Sequence, residues 1–319
     1  MGLPPLQESP SGRGGERCAA GWGQPMSDFS ANVLLGLLKL LQRLPLRLQA
    51  ALGRGLGWLF WHLASARRKV ALRNLALCLP ELGEAERERI AREHFGWLGR
   101  SLLERGLLWY ASPERLRSLI QVEGDVGLAE RSARPVMWLV PHFLALDVAG
   151  TATQLFQTRR VGSIYQTQSN PVFDAAMRRG RLRFGGGEVF PRSDSAKPLI
   201  RAIKRGDAFF NLPDMDFGAR DAAFVPFFGV PAATLLAPSR MARALDMVVQ
   251  PVVAELLPGG EGYRVRFLPA WNDFPSADAE ADTARMNRWI ESEIRRNPAQ
   301  YLWVHKRFKT RPPGEPGFY

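Results

Sequence analysis

The residues best placed to do chemistry lie in Pro135 to Gly150, which reads PVMWLVPHFLALDVAG. His142 and Asp147 stand five positions apart there. An imidazole held by a carboxylate on its far nitrogen is a general base suited to taking a proton from an alcohol. Five helical steps of about 100° set two side chains roughly 140° apart, so one regular helix cannot pair them. If His142 sits at the corner where a strand becomes a helix, its ring can bend back toward Asp147 in the first turns. Val136 to Val140 is an apolar run of strand length, and Pro141 ends it because proline cannot donate to a ladder. Open α/β sheets place their sites at such strand ends. An isolated H-x4-D is common by chance, and a loop histidine with a helix-favouring Asp is its bland alternative. Further blocks downstream favour catalysis.

The first of these is a basic segment. Arg159, Arg160, Arg178, Arg179, Arg181, Arg183, Arg192, Lys197, Arg201, Lys204 and Arg205 face only Asp174, Glu188 and Asp194 between positions 159 and 205. Some form a solvated helix face; so one-sided a concentration suits phosphate. Asn170-Pro171 opens a helix carrying Arg178-Arg179-Gly180-Arg181, and a guanidinium from it could stabilise an acyl-transfer oxyanion or grip a substrate phosphate. Asp214 and Asp216, after the run 208–210, could bind a metal, orient a base or cap a helix. With no histidine nearby, the metal option ranks low. Gly185-Gly186-Gly187 lacks a phosphate-loop signature and reads as a turn. Ala222 to Pro231 suits either a wall for acyl chains or core packing.

The elements that must position these residues follow from periodicity. Short apolar runs at 135–140, 160–165, 207–212, 247–254 and 263–268 alternate with helical stretches near 143–156, 171–183, 195–205, 234–246 and 278–296. The pattern predicts an α/β fold with a mixed, mostly parallel sheet flanked by helices. Residues 84–110 read as an amphipathic helix, with His94 structural. Residues 29–66 are the most apolar part of the chain. Val33, Leu34, Leu35, Leu37, Leu38, Leu40, Leu41 and Leu44 cover most of a helix surface, leaving Asn32, Gly36, Lys39 and Arg43 as a narrow polar stripe. Gly55 to Ala66 adds two tryptophans before Arg67-Arg68-Lys69. Neither piece is long enough to span a bilayer, and tryptophans beside basic residues suit an interfacial helix, so a monotopic anchor is expected. The expected division is a disordered extension over 1–25, a membrane-associated helical region over 26–110 and a catalytic domain over 111–319. Met26 opens the first protein-like run, so the natural start is expected downstream of Met1.

A formal charge of +12 and a pI near 10.4 call for a polyanionic partner. No nucleic-acid-binding signature accompanies the charge, so anionic lipid, a phosphorylated substrate or an acidic carrier protein is expected. Cys18 and Cys78 alone give no disulfide framework and suit a reducing, cytosol-facing location. The four histidines show no metal-ligand spacing, and no cofactor is expected.

Taken together, H-F-L-A-L-D, then N-P-x-x-D with R-R-G-R, then P-D-M-D-F-G, then F-V-P-F-F-G-V-P-A-A-T, and last Gln300 to Lys309 (QYLWVHKRFK) resemble the late acyltransferases of lipid A biosynthesis. This lauroyl/myristoyl transferase family belongs to the H-x4-D lysophospholipid acyltransferase superfamily. The likeness runs from about Val33 to Tyr319 and includes Arg67-Arg68, Asn74-Leu75 and Cys78-Leu79-Pro80-Glu81. It implies a glycerolipid-acyltransferase-like fold on the cytoplasmic face of a bacterial inner membrane. The implied reaction moves an acyl group from acyl carrier protein to a hydroxyacyl chain of a phosphorylated lipid A precursor. By position, His142 is the implied base, Asp147 its orienting acid and Arg179 the arginine working with them. Arg178, Arg181, Asn170, Asp214 and Asp216 are expected to bind substrate. The rival enzyme is an acyltransferase of another glycolipid or a lysophospholipid, although the F-P-E-G-T-R-S-like block of glycerolipid enzymes is missing. A non-catalytic basic membrane-surface protein would explain the charge but not the ordered blocks.

Overall fold

The computed structural model describes residues 26–319; the expected disorder of 1–25 lies outside the described residues. Four helices come first. Helix α1 (Asp28–Leu41) starts where the Ser27 hydroxyl accepts the Ser30 amide at 3.2 Å, satisfying a donor the helix cannot. Helix α2 (Leu46–Leu63) and α3 (Ser65–Cys78) follow, and α4 (Glu84–Tyr110) is the long element crossing behind them. Helix α2 meets α4 at almost no separation because both present glycine. A Cβ on Gly57 would lie 2.1 Å from the Phe95 carbonyl oxygen, and one on Gly99 would lie 2.2 Å from that of Gly53. Only glycine permits this approach.

The remaining elements alternate as the periodicity predicts. They are α5 (Pro113–Leu119), β1 (Ile120–Gly124), α6 (Leu128–Arg131), β2 (Val136–Leu139), α7 (Leu146–Leu155), β3 (Val161–Tyr165), α8 (Pro171–Arg181) and β4 (Glu188–Pro191). Then come α9 (Lys197–Lys204), β5 (Ala208–Asn211), β6 (Ala222–Phe227), β7 (Val230–Leu235), α10 (Ala237–Ala244), β8 (Val248–Leu256), β9 (Tyr263–Phe267) and α11 (Ala279–Arg296). Seven strands form one sheet in the order β1-β9-β8-β2-β5-β3-β4. Every neighbouring pair is parallel except β8–β9. This is the mixed, mostly parallel sheet expected. Strands β2 and β5 are buried along their whole length, which is why they read as unbroken apolar runs.

Strands β6 and β7 stand apart as a hairpin turned at Phe228-Gly229, both with positive φ. The segment 222–231 lies in this hairpin and packs on the core. Phe227 is buried against the Tyr301 and Phe308 rings, and Arg307 donates to the Ala233 carbonyl at 2.9 Å, so core packing accounts for it. One contiguous core runs from Leu35 through Phe308.

Among the described residues no helix is long and apolar enough to cross a membrane. Helix α1 buries Ala31, Leu35 and Leu38 and turns Phe29, Val33, Leu37 and Leu40 to the outside. Helix α2 likewise exposes Leu48, Leu52, Leu59 and Leu63, with Trp58 beside them. The spacings of three, four and seven make each set a single stripe.

Candidate active site

Strand β2 ends at Leu139 and β5 at Asn211, and these two residues are register partners in a parallel pair. Each strand then runs through one apolar residue and a proline: Val140-Pro141 on one side, Leu212-Pro213 on the other. The Val140 amide donates to the Asn211 carbonyl at 2.8 Å, and there the ladder stops because proline has no N–H. The next residues are His142 and Asp214. Three steps past paired positions, they meet at the carboxyl edge of the sheet.

The imidazole Nδ1 lies 2.7 Å from Asp214 Oδ1, and the His142 backbone amide donates to both carboxylate oxygens at 2.9 and 3.2 Å. The Tyr301 hydroxyl also donates to Asp214. Burial pushes the Asp214 carboxyl up. The charge of the His142 ring, its side-chain and backbone hydrogen bonds and the Tyr301 bond outweigh that, and the group is held below the usual carboxylate range. An ionised carboxylate accepts only, so the Nδ1 facing it carries a proton, and in the neutral ring Nε2 is the nitrogen that keeps a lone pair.

The expected partner of His142, Asp147, is engaged elsewhere. Helix α7 starts only at Leu146, so Asp147 sits in its first turn after the irregular Phe143-Leu144-Ala145 segment. Its carboxylate takes Arg181 at 2.8–2.9 Å and faces Arg105 of α4 at 3.4 Å. Burial raises its carboxyl, while Arg181, Arg105, the Arg181 hydrogen bond and, last, nearby His142 lower it further, so it too is held below the usual range. In the structure the carboxylate hydrogen-bonded to the ring is Asp214, which was expected to bind substrate, while Asp147, the expected orienting acid, pairs with Arg181.

The arginines are placed differently from the expectation as well. Arg181, not Arg179, reaches the site carboxylate. Two helical steps separate them by about 200°, so when one turns inward the other turns out. Arg178 and Arg179 are exposed; Arg178 lies over the Tyr165 ring, 5.8 Å from its centre. Asn170, also expected to bind substrate, makes its hydrogen bonds within the fold. Its Oδ1 caps α8 through the Phe173 amide at 2.8 Å, and its Nδ2 ties that cap to Met26 O and Asp28 Oδ1. Asp216 takes Thr310 Oγ1 at 2.8 Å and the Gly218 amide at 3.0 Å, so it anchors the C-terminal tail.

The tail explains why its block matters. The Leu144 amide donates to Gln300 O at 2.8 Å and the Leu302 amide to His142 O at 3.0 Å. Tyr301 bridges to Phe143 as an isolated antiparallel pair. Asn74 of α3 donates to the carbonyls of Trp303 and His305, each at 2.7 Å, and Arg67 to that of Val304 at 3.3 Å. Ser101 of α4 donates to Leu144 O at 2.6 Å. The histidine corner is thus clamped from the tail and from two helices.

Beside the Asp147–Arg181 pair opens a small, mostly apolar cleft. Leu146, Gly150, Val161, Leu182, Val189 and Phe210 are among its walls. The polar side chains there spend their donors on backbone: Thr153 on Gly150 O at 2.9 Å, Ser163 on Phe210 O at 2.9 Å, and Gln154 on Gly150 O and Arg181 O at 2.9 and 2.6 Å. Apart from Asp147, Arg181 and Glu188, what remains facing the cleft is mostly apolar. Sequence reasoning missed Arg105 altogether, since it lies on a distant helix among charges that mostly pair along its surface.

A histidine held by a buried carboxylate at the carboxyl edge of a mostly parallel sheet, beside a mostly apolar cleft, is an arrangement that acyl transfer can use. Residues 27–310 match the model of the bacterial lipid A biosynthesis acyltransferases. The chain is 35% identical over 288 residues to the lipid A biosynthesis lauroyltransferase of Escherichia coli K12, covering 89% of this chain and 93% of that one. It is 33% identical to the palmitoleoyltransferase of the same organism, covering 89% and 92% of the two chains. To the myristoyltransferase it is 34% identical over 270 residues, covering 83% and 81%. The chain belongs to the bacterial lipid A biosynthesis acyltransferase family.

Proposed function

We propose that this chain transfers a fatty acyl group from acyl carrier protein to the hydroxyl of a hydroxyacyl chain on a phosphorylated lipid A precursor. The observation that carries the reading is His142, its Nδ1 fixed on buried Asp214 and its Nε2 left to act, beside a cleft built for hydrocarbon. His142 Nε2 takes the proton of the lipid hydroxyl. The alkoxide attacks the thioester carbonyl, forming the new C–O bond and pushing the π electrons onto oxygen. Arg181 and Arg105 share a single carboxylate, Asp147, so the group carries surplus positive charge at the mouth of the cleft. That surplus stabilises the oxyanion. As the C–O double bond re-forms, the C–S bond breaks and the imidazolium returns its proton to the departing thiolate.

The exposed stripes of α1 and α2, flanked by the exposed Lys39, Arg43 and Arg47, support a monotopic seat on an anionic leaflet at the cytoplasmic face of the inner membrane. The basic surface also suits the acidic carrier and the phosphorylated acceptor. Mass spectrometry of lipid A from cells lacking the gene, complemented with wild type or His142→Ala, tests the reading. Loss of one secondary acyl chain, restored by wild type alone, is expected. Lipid A unchanged by the deletion would move the acceptor to another glycolipid or a lysophospholipid.

A further inference from the structure

Gly150 lies in the middle of α7, where a glycine weakens a helix relative to alanine, so its presence requires a physical reason. Conformation is not the reason, because Gly150 is not among the positive-φ glycines. Nor is protein packing. A Cβ on Gly180 would lie 2.3 Å from the Trp109 ring, and one on Gly187 would lie 2.2 Å from Val161 O, so neighbours forbid side chains at those positions. A Cβ on Gly150 meets nothing nearer than Phe210 Cζ, at 3.9 Å. The space a side chain would occupy there is cleft space. Gly150 stands one turn beyond Asp147 on α7, and Phe210 faces it from β5 across the cleft.

We infer that this cleft measures the donor acyl chain, with Gly150 and Phe210 setting the depth it accepts. The inference rests on the acyl-transfer reading above. With the thioester carbonyl beside His142, the hydrocarbon passes Asp147–Arg181 and runs between α7 and the sheet. Because Thr151, Thr153, Gln154 and Ser163 are satisfied by backbone and the charged lining residues by ion pairs, each methylene that enters gains burial and disturbs no hydrogen bond. Excluding a methylene forfeits that gain, about fourfold in preference, so two excluded methylenes give on the order of tenfold.

The test uses full-length enzyme in detergent and acyl carrier proteins loaded with saturated chains in two-carbon steps, competed in one reaction. Gly150→Leu is expected to shift the preferred chain shorter by two carbons or more, with transfer retained. Phe210→Leu, which removes ring volume from the opposite wall, is expected to shift it longer. The opposed shifts separate a ruler from general damage, and Phe210→Leu decides alone if Gly150→Leu fails to fold. Unchanged chain preference in folded, active variants would overturn the inference while leaving acyl transfer intact. A wild type that moves no acyl chain from any thioester would overturn the transfer reading, and this inference with it.

Discussion

Asp214→Asn tests the central geometry. The carboxylate accepts from the His142 backbone amide with both oxygens and from Nδ1 at 2.7 Å. An asparagine has a single acceptor oxygen. If that oxygen keeps the backbone amide, the NH2 group points at Nδ1 and forces the imidazole proton onto Nε2. The base is then in the wrong tautomer, although the ring has hardly moved. General-base catalysis contributes about 10²–10⁴-fold, equivalent to about 3–5 kcal/mol of barrier. The expected loss in kcat is of that size, with KM for the acyl thioester little changed because Asp214 does not line the cleft. His142→Ala should lose as much, and His142→Ala with Asp214→Asn no more than His142→Ala alone, since the two act as one unit. The assay is initial rates on purified enzyme with saturating donor. Near-wild-type kcat in Asp214→Asn, or fully additive losses in the double variant, would refute the assignment.

Other consequences of the structure are open to measurement. Arg181→Ala is expected to cost at least tenfold in kcat, because Asp147 loses its nearer cation and the surplus positive charge is gone, whereas the exposed Arg179→Ala should stay within a few-fold, read by the same assay. Burial holds the His94 and His305 imidazoles neutral, pushed down to about 4 and about 3. Unfolded histidines bind protons from about pH 6.5, so stability should be full above that pH and fall as pH drops from there toward 3–4. Each histidine accounts for a few kcal/mol at full effect, and His94→Gln should flatten the fall in denaturant titrations run between pH 7 and 4. Replacing Phe29, Leu37 and Trp58 together with Asp should release the enzyme from anionic vesicles in a flotation assay while its melting temperature in detergent is kept.

The sequence is legible wherever a local signal decides. Acids early and apolar residues at helical spacing placed α4 at Glu84–Tyr110, and the apolar runs found β2, β3, β5, β8 and β9. Strand β4 is half-exposed and β1 largely open to solvent, so neither showed as an apolar run. The partner of His142 needed strand order, which is non-local: β2 lies beside β5, seventy residues on, rather than beside β3. A signal was nonetheless present. Val-Pro-His and Leu-Pro-Asp are the same strand ending written twice, and two like endings on adjacent parallel strands must meet. Arg181 rather than Arg179 could not be chosen without knowing which face of α8 looks inward.

The glycine crossing of α2 and α4 has a consequence for where the reaction takes place. Helix α2 carries the apolar stripe, and α4 carries both Gly99 at the crossing and, six residues or about 9 Å further along its axis, Arg105 at the site. With backbones touching at Gly57 and Gly99, no side chains remain between the helices to act as a compliant layer. The crossing fixes the distance from the stripe to the histidine corner, so if the stripe seats the enzyme on a leaflet, as proposed above, the corner stands at one fixed elevation above it. On that reading a hydroxyl at that elevation would be presented to His142, and one deeper or higher would be passed over. Selection among otherwise equivalent hydroxyls then becomes a matter of altitude, set by a helix crossing remote from the reacting atoms.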